Sequence, residues 1–125
     1  MTDKKIVLAI DDNVQQLNEY KYFLVSQYDL RVVKSACEAL NFLNSSSADI
    51  ILLDIEMPDI SGFEFLEDIR RIPRYANVPI IIVSGNSGPQ FMERAGSSGA
   101  VDVLTKPVEP NMLVDVIEKA LIHAH

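Results

Sequence analysis

The residues able to do chemistry stand where apolar runs stop. Ile6 to Ile10 is an unbroken apolar run ended by the adjacent carboxylates Asp11 and Asp12. Ile50 to Leu53 ends in Asp54, and Pro79 to Val83 ends in Ser84. A weaker run, Val101 to Leu104, leads through Thr105 to Lys106 and Pro107. If these runs are parallel strands, all of those side chains meet at one sheet edge, where open α/β sheets bind their ligands. Carboxylates ~4 Å apart repel by about 4 kcal/mol per pair at an effective dielectric of about 20. Three together therefore call for a cation. Oxygen ligands with little geometric enforcement suit Mg²⁺, which keeps several waters and takes one or two carboxylates. No His or Cys stands in metal-ligand spacing, which disfavours zinc. By residue type, the edge is a hard-cation site with a lysine and a hydroxyl beside it.

The elements that must position these residues alternate along the chain. Short apolar runs bounded by polar residues suit strands buried on both faces; Leu30 to Val33 is a further, weaker candidate. Between them lie helical patterns. Leu17, Tyr20, Leu24 and Tyr28 recur at three- and four-residue steps after the cap types Asp12 and Asn13. Ala36 to Leu43 is a second helix, and Phe63, Leu66, Ile69 and Arg70 mark a third that ends near Pro73. Pro110 suits a first helical turn, followed by Leu113, Val116, Ile117, Ala120 and Leu121 on one stripe. Strand then helix, repeated five times, predicts right-handed crossovers and a doubly wound α/β sheet covered on both faces. The segment Ser84 to Gly99 holds Gly85, Gly88, Gly96 and Gly99 with Pro89. Each interior glycine costs about 1 kcal/mol of helix, so the fourth helix, Gln90 to Ala95, is expected to be short or mobile.

Composition narrows the function. The 125 residues make one domain, 1–125. Eleven basic residues against 18 acidic ones give a net charge of −7, which argues against binding nucleic acid or an anionic membrane. The single cysteine, Cys37, makes no internal disulfide and is expected to be a small buried or half-buried residue. No signal peptide and no membrane span are expected, so the location read from sequence is cytoplasmic. His123 and His125 read as a frayed helix end.

Together these segments resemble the receiver domain of bacterial two-component response regulators. The resemblance runs from Lys5 to about His123. It rests on Ile6-Val-Leu-Ala-Ile-Asp11-Asp12, on Ile51-Leu-Leu-Asp54-Ile-Glu-Met-Pro58 with Gly62, on Ile81-Ile-Val-Ser84-Gly85, and on Gly99-Ala-Val-Asp102 with Thr105-Lys106-Pro107. It implies a flavodoxin-like (βα)5 fold with strand order 2-1-3-4-5. It also implies that Asp54 accepts a phosphoryl group from a phosphohistidine on a sensor histidine kinase or phosphotransfer protein. Asp11 and Asp12 would hold Mg²⁺ with Asp54 and the backbone carbonyl of Glu56. Lys106 would pair with the phosphoryl oxygens, Ser84 would bond the attached group and carry the switch, and the bond to Pro107 would be cis. Such a protein catalyses only its own phosphorylation and dephosphorylation. Its output face, formed by the fourth helix, fifth strand and fifth helix, would be read by an effector or by a second copy. The chain is expected to be a stand-alone receiver or the amino-terminal receiver of a longer regulator.

Two positions depart from the pattern as read. Leu104 stands where an aromatic partner of the switch hydroxyl is expected, so output is expected to use repacking of Ser84 to Gly99 with Leu104 as an apolar contact on the output face. Glu56, two positions past the acceptor, is expected to approach the phosphoryl group or the metal's water shell, or else to face solvent. Two other readings compete. A small Mg²⁺-dependent phosphohydrolase could use Asp54 as nucleophile, but phosphatases of the haloacid dehalogenase type want an aspartate where Glu56 stands. An interaction module independent of phosphorylation would not need Asp11, Asp12, Asp54, Ser84 and Lys106 all present. Turnover of a generic phosphate ester favours the first, and silence toward phosphoryl mimics the second.

Overall fold

Strands form where consecutive residues find apolar neighbours above and below the sheet, and the apolar runs do so here. The computed structural model describes residues 4–58 and 60–123. In chain order the elements are β1 Ile6–Ile10, α1 Val14–Leu24, β2 Asp29–Val33, α2 Ala36–Ser45, β3 Ile50–Asp54 and α3 Gly62–Arg71. A single 3-10 turn, Pro73–Tyr75, precedes β4 Ile80–Ser84, α4 Pro89–Gly96, β5 Asp102–Thr105 and α5 Pro110–Ile122. All strand pairs are parallel, in the order β2-β1-β3-β4-β5. This is the expected doubly wound fold. The order reverses between β1 and β3, and that reversal opens a crevice at their carboxyl ends.

Alternation along each strand divides the core into two layers. Val7, Ala9, Ile50, Leu52, Ile81 and Val83 pack against Leu17, Tyr20 and Leu24 of α1 and Leu113, Val116 and Ile117 of α5. Leu8, Ile10, Ile51, Leu53, Ile80 and Ile82 face Ala39 and Leu43 of α2, Phe63, Leu66 and Ile69 of α3, and Ala95 of α4. Each fully buried aliphatic side chain contributes about 1.5–3 kcal/mol relative to exposure. With both faces covered, every residue of β3 and β4 is buried, including the terminal Asp54 and Ser84.

Helix starts follow local chemistry. Asn13 caps α1 by accepting the Gln16 N–H at 3.1 Å, and Ser35 caps α2 by accepting the Glu38 N–H at 3.1 Å. Pro89 and Pro110 occupy first-turn positions of α4 and α5. Gly62 opens α3 so close to β3's exit that a Cβ there would lie 2.5 Å from the backbone of Ile55.

Several boundaries differ from expectation. Helix α1 stops at Leu24, and Tyr28 reaches the core from the loop beyond, its N–H donating to the Leu24 carbonyl at 3.0 Å. Helix α2 runs on through Asn44 and Ser45, whose hydroxyl donates to the Asn41 carbonyl in the last turn. Arg70 does not simply extend an apolar stripe. Its guanidinium donates to the carbonyls of Tyr75 and Val78 and, at 2.9 Å, of Gly99, tying α3 to the loops before β4 and β5. Cys37 is exposed on α2, which corrects the expectation of a buried or half-buried thiol. Helix α4 spans eight residues, short as its glycines required. Among the described residues no helix is long and apolar enough to cross a membrane. His125 lies outside the described residues.

Candidate functional site

The crevice gathers its side chains from three strand ends. Asp11 follows β1 directly and is fully buried; its N–H donates to the Val33 carbonyl of β2 at 3.1 Å. One Asp11 carboxylate oxygen accepts the Asn13 N–H at 2.9 Å, and the other lies 3.0 Å from Lys106 Nζ. Asp54, the last residue of β3, is 4% exposed. Its Oδ1 accepts the Glu56 N–H at 3.0 Å, and its Oδ2 lies 3.5 Å from Lys106 Nζ. Asp12 is exposed at the mouth, and one oxygen from each of Asp11, Asp12 and Asp54 falls within 4.8 Å of the others. Lys106 reaches in from beyond β5, where its N–H continues the ladder by donating to the Ser84 carbonyl at 2.8 Å. The Lys106–Pro107 bond is cis, as anticipated.

The site carries more negative than positive charge. Burial pushes the Asp54 carboxyl up to about 6; the Asp11 carboxylate adds to the rise, while the Glu56 N–H and Lys106 oppose it. Burial disfavours the Lys106 ammonium, but the Asp11 and Asp54 carboxylates outweigh that and raise its pKa. Three carboxylates and one ammonium leave a formal excess of two negative charges. An all-oxygen donor set of that charge fits Mg²⁺.

Glu56 is exposed, yet its carboxylate is engaged rather than free. Its Oε1 accepts the Ser84 hydroxyl at 2.5 Å and the Gly85 N–H at 2.9 Å. The Ser84 hydroxyl hydrogen bond is the main reason its carboxyl is held below the usual range, with the Gly85 and Asn86 N–H groups and Lys106 assisting against burial. Ser84 Oγ in turn accepts the Asn86 N–H at 3.0 Å.

The response regulator receiver domain profile matches residues 7–118. The chain belongs to the response regulator receiver family. It is 33% identical over 113 residues to a two-component response regulator of Oryza sativa subsp. indica, covering 88% of this chain and 90% of that protein. It is 31% identical over 119 residues to a Vibrio cholerae protein named Probable cyclic di-GMP phosphodiesterase, covering 95% of this chain. The receiver spans 26% of that second protein's length. Among solved structures, a CheY-like receiver domain protein from Methanospirillum hungatei superposes with a TM-score of 0.88 at 26% identity, covering 98% of this chain and 97% of the other.

Within the receiver, the residues picked from sequence divide clearly. Asp11, Asp12, Asp54 and Lys106 converge, and Ser84 lies beside them through Glu56. Gly85 leaves room, since a Cβ there would meet nothing nearer than the Glu56 carboxylate at 3.8 Å. Leu104 is a correction. Paired with Val83, it is 4% exposed and packs in the layer under α1 and α5, so it is no contact on the output face. Side chains alternate along a strand, and Val103 is the β5 residue that packs in the α2–α3–α4 layer. Gln16 was not singled out by sequence. It is buried beside Lys106 in the wall of an open groove that also includes Asn13, Gln15, Glu19 and Pro107, and its Nε2 has no partner among the described residues. A polar residue one position before the apolar stripe was the only available signal.

Proposed function

We propose that this receiver is a phosphorylation switch of a two-component pathway, with Asp54 as the acceptor. The observation that carries the reading is Asp54 itself: a buried carboxylate at the strand-order reversal, beside a lysine and two further carboxylates. Phosphoryl transfer asks mainly for positioning and charge neutralisation. In the transfer, an Asp54 oxygen forms a bond to phosphorus as the P–N bond of a donor phosphohistidine breaks. The bonding pair returns to the donor imidazole. The Glu56 N–H on Oδ1 orients the Asp54 carboxylate, and the Lys106 ammonium offsets charge on the phosphoryl oxygens. The side chains of Asp11, Asp12 and Asp54, with the Glu56 backbone carbonyl, would hold Mg²⁺. The ion would supply the remaining neutralisation of phosphoryl and carboxylate charge. Ser84, at the end of β4, is the side chain that would bond the attached group.

The donor is a sensor histidine kinase or phosphotransfer protein. Phosphorylation shifts a pre-existing equilibrium in the α4–β5–α5 face, which an effector domain, a separate protein or a second copy reads. The protein acts on no substrate beyond its own aspartate, works in the cytoplasm and forms one domain over 1–125.

Acetyl phosphate with Mg²⁺ tests this reading by intact-protein mass. The wild type gains one phosphoryl group, and neither Asp54→Asn nor wild type in EDTA does. An unchanged wild-type mass, with no spectral response to beryllofluoride, would overturn the switch and favour a phosphorylation-independent module.

A further inference from the structure

We infer that the Glu56 carboxylate is a latch on Ser84, holding the switch hydroxyl away from Asp54 until a phosphoryl group displaces it. The inference rests on the phosphorylation reading above and specifies what restrains the resting state. Ser84 has one hydroxyl proton, and it is donated to Glu56 Oε1 at 2.5 Å. The same hydroxyl oxygen is occupied by the Asn86 N–H at 3.0 Å, which fixes the rotor. Glu56 Oε1 also takes the Gly85 N–H, so one carboxylate oxygen holds two consecutive residues at the exit of β4. These are charge-assisted bonds, stronger than neutral ones.

The latch is coupled to the acceptor by chain connectivity. The Glu56 N–H bonds Asp54 Oδ1, so its carboxylate springs from the turn that orients the acceptor. On Asp54 the single carboxylate charge is replaced by a phosphoryl group of about −1.5 to −2 charge with three strong acceptor oxygens. Two anions then compete for one hydroxyl proton, and the Glu56 carboxylate meets more like charge, carried on oxygens that reach beyond the Asp54 carboxylate. Bonding of Ser84 to the phosphoryl group and bonding of Ser84 to Glu56 exclude each other. Release frees the Gly85 and Asn86 segment that leads into α4, so loss of one contact reaches the output face. Glu56 is thus a positioning residue that sets the resting population, and the part of phosphoryl affinity spent on breaking its bonds returns when it is removed.

The test combines beryllofluoride binding in Mg²⁺ with the Gly85 amide resonance, for wild type, Glu56→Ala, Glu56→Gln, Ser84→Ala and the Glu56→Ala/Ser84→Ala pair. Without beryllofluoride, Glu56→Ala should move the Gly85 amide upfield, in the same direction that beryllofluoride should move it in the wild type. Glu56→Ala should bind beryllofluoride on the order of tenfold more tightly, the equivalent of one charge-assisted hydrogen bond. Glu56→Gln, which keeps an acceptor oxygen but no charge, should fall between. In the Ser84→Ala background the gain should shrink below about twofold, because the two residues act through each other. Equal affinities, or a tenfold gain that persists without Ser84, would overturn the latch; the latter result would mean general charge repulsion. A Gly85 amide indifferent to Glu56→Ala would overturn the contact itself even if beryllofluoride binds normally. Indifference of every variant to beryllofluoride, with the Gly85 amide still moving in Glu56→Ala, would instead sink the phosphorylation reading and the regulatory role with it.

Discussion

Lys106 Nζ lies 3.0 Å from Asp11 Oδ2 although 95 residues separate the two in the chain. The pair joins the end of the interior strand β1 to the end of the edge strand β5, and Lys106 also reaches Asp54 at 3.5 Å. Asp11 is fully buried and Asp54 nearly so. The lysine is therefore the internal counter-charge that lets two buried carboxylates share one strand edge.

Lys106→Met should destabilise the Mg²⁺-free protein by about 2 kcal/mol, because hydrogen bonds to charged groups contribute that much and their loss strands buried acceptors. Urea unfolding in EDTA measures it. Saturating Mg²⁺ should narrow the deficit, since a bound cation neutralises the same carboxylates and stabilises only the folded form. An equal deficit with and without Mg²⁺ would show that Lys106 does not share charge compensation with a metal.

Asp54→Asn should have the opposite sign in EDTA. Burial drives the Asp54 carboxyl up to about 6, so folding penalises its charged form at neutral pH. A neutral isostere removes that penalty and the repulsion with Asp11 while keeping an oxygen for the Glu56 N–H. Stability should rise by about 1–3 kcal/mol, read as a higher midpoint in thermal unfolding, and the gain from Mg²⁺ should fall. A lower midpoint in EDTA would contradict the electrostatic account of the site.

Much of this arrangement was legible because parallel strands buried on both faces leave unbroken apolar runs. The residue that ends each run is the one placed at the sheet edge. Asp11, Asp54, Ser84 and Lys106 could be found that way. Glu56 could be flagged but not placed. Its partner is 28 residues away on another loop, and a long side chain crossing between loops leaves no period in sequence. Leu104 was misplaced for a different reason. Assigning a strand residue to a face requires its register, and β5 spans Asp102–Thr105, a short strand whose weak pattern gives little guidance. Tyr28 kept the helical spacing of α1 while lying outside the helix, because core burial can be met from a loop as well as from a helical stripe.

Gly62→Ala should cost about 1–3 kcal/mol, the usual penalty of forcing added volume into a packed interior. The added Cβ would lie 2.5 Å from the Ile55 backbone, so β3's exit and the start of α3 would have to separate. Glu56 follows Ile55 directly, so the shift should also disturb the Glu56 bonds to Ser84 and Gly85. Chemical denaturation measures the first effect and the Gly85 amide resonance the second. A neutral substitution would mean the loop has slack that the close approach denies.

Val103 and Leu104 should separate output from stability. Leu104 lies beside Val83 in the α1–α5 layer with 4% exposure, so Leu104→Ala leaves a cavity and should cost about 2–5 kcal/mol. Val103 is only partly buried in the layer shared with α4, so Val103→Ala should cost about 1 kcal/mol or less. Its effect should fall on the switch. Amide exchange over 84–99 with and without beryllofluoride should differ less in Val103→Ala than in wild type, because a smaller side chain couples β5 to α4 less firmly. Leu104→Ala should speed exchange in both states and preserve the difference between them. If Leu104→Ala abolished the difference while Val103→Ala kept it, the coupling would run through the α1–α5 layer, and the face of β5 that answers α4 would have been assigned to the wrong residue.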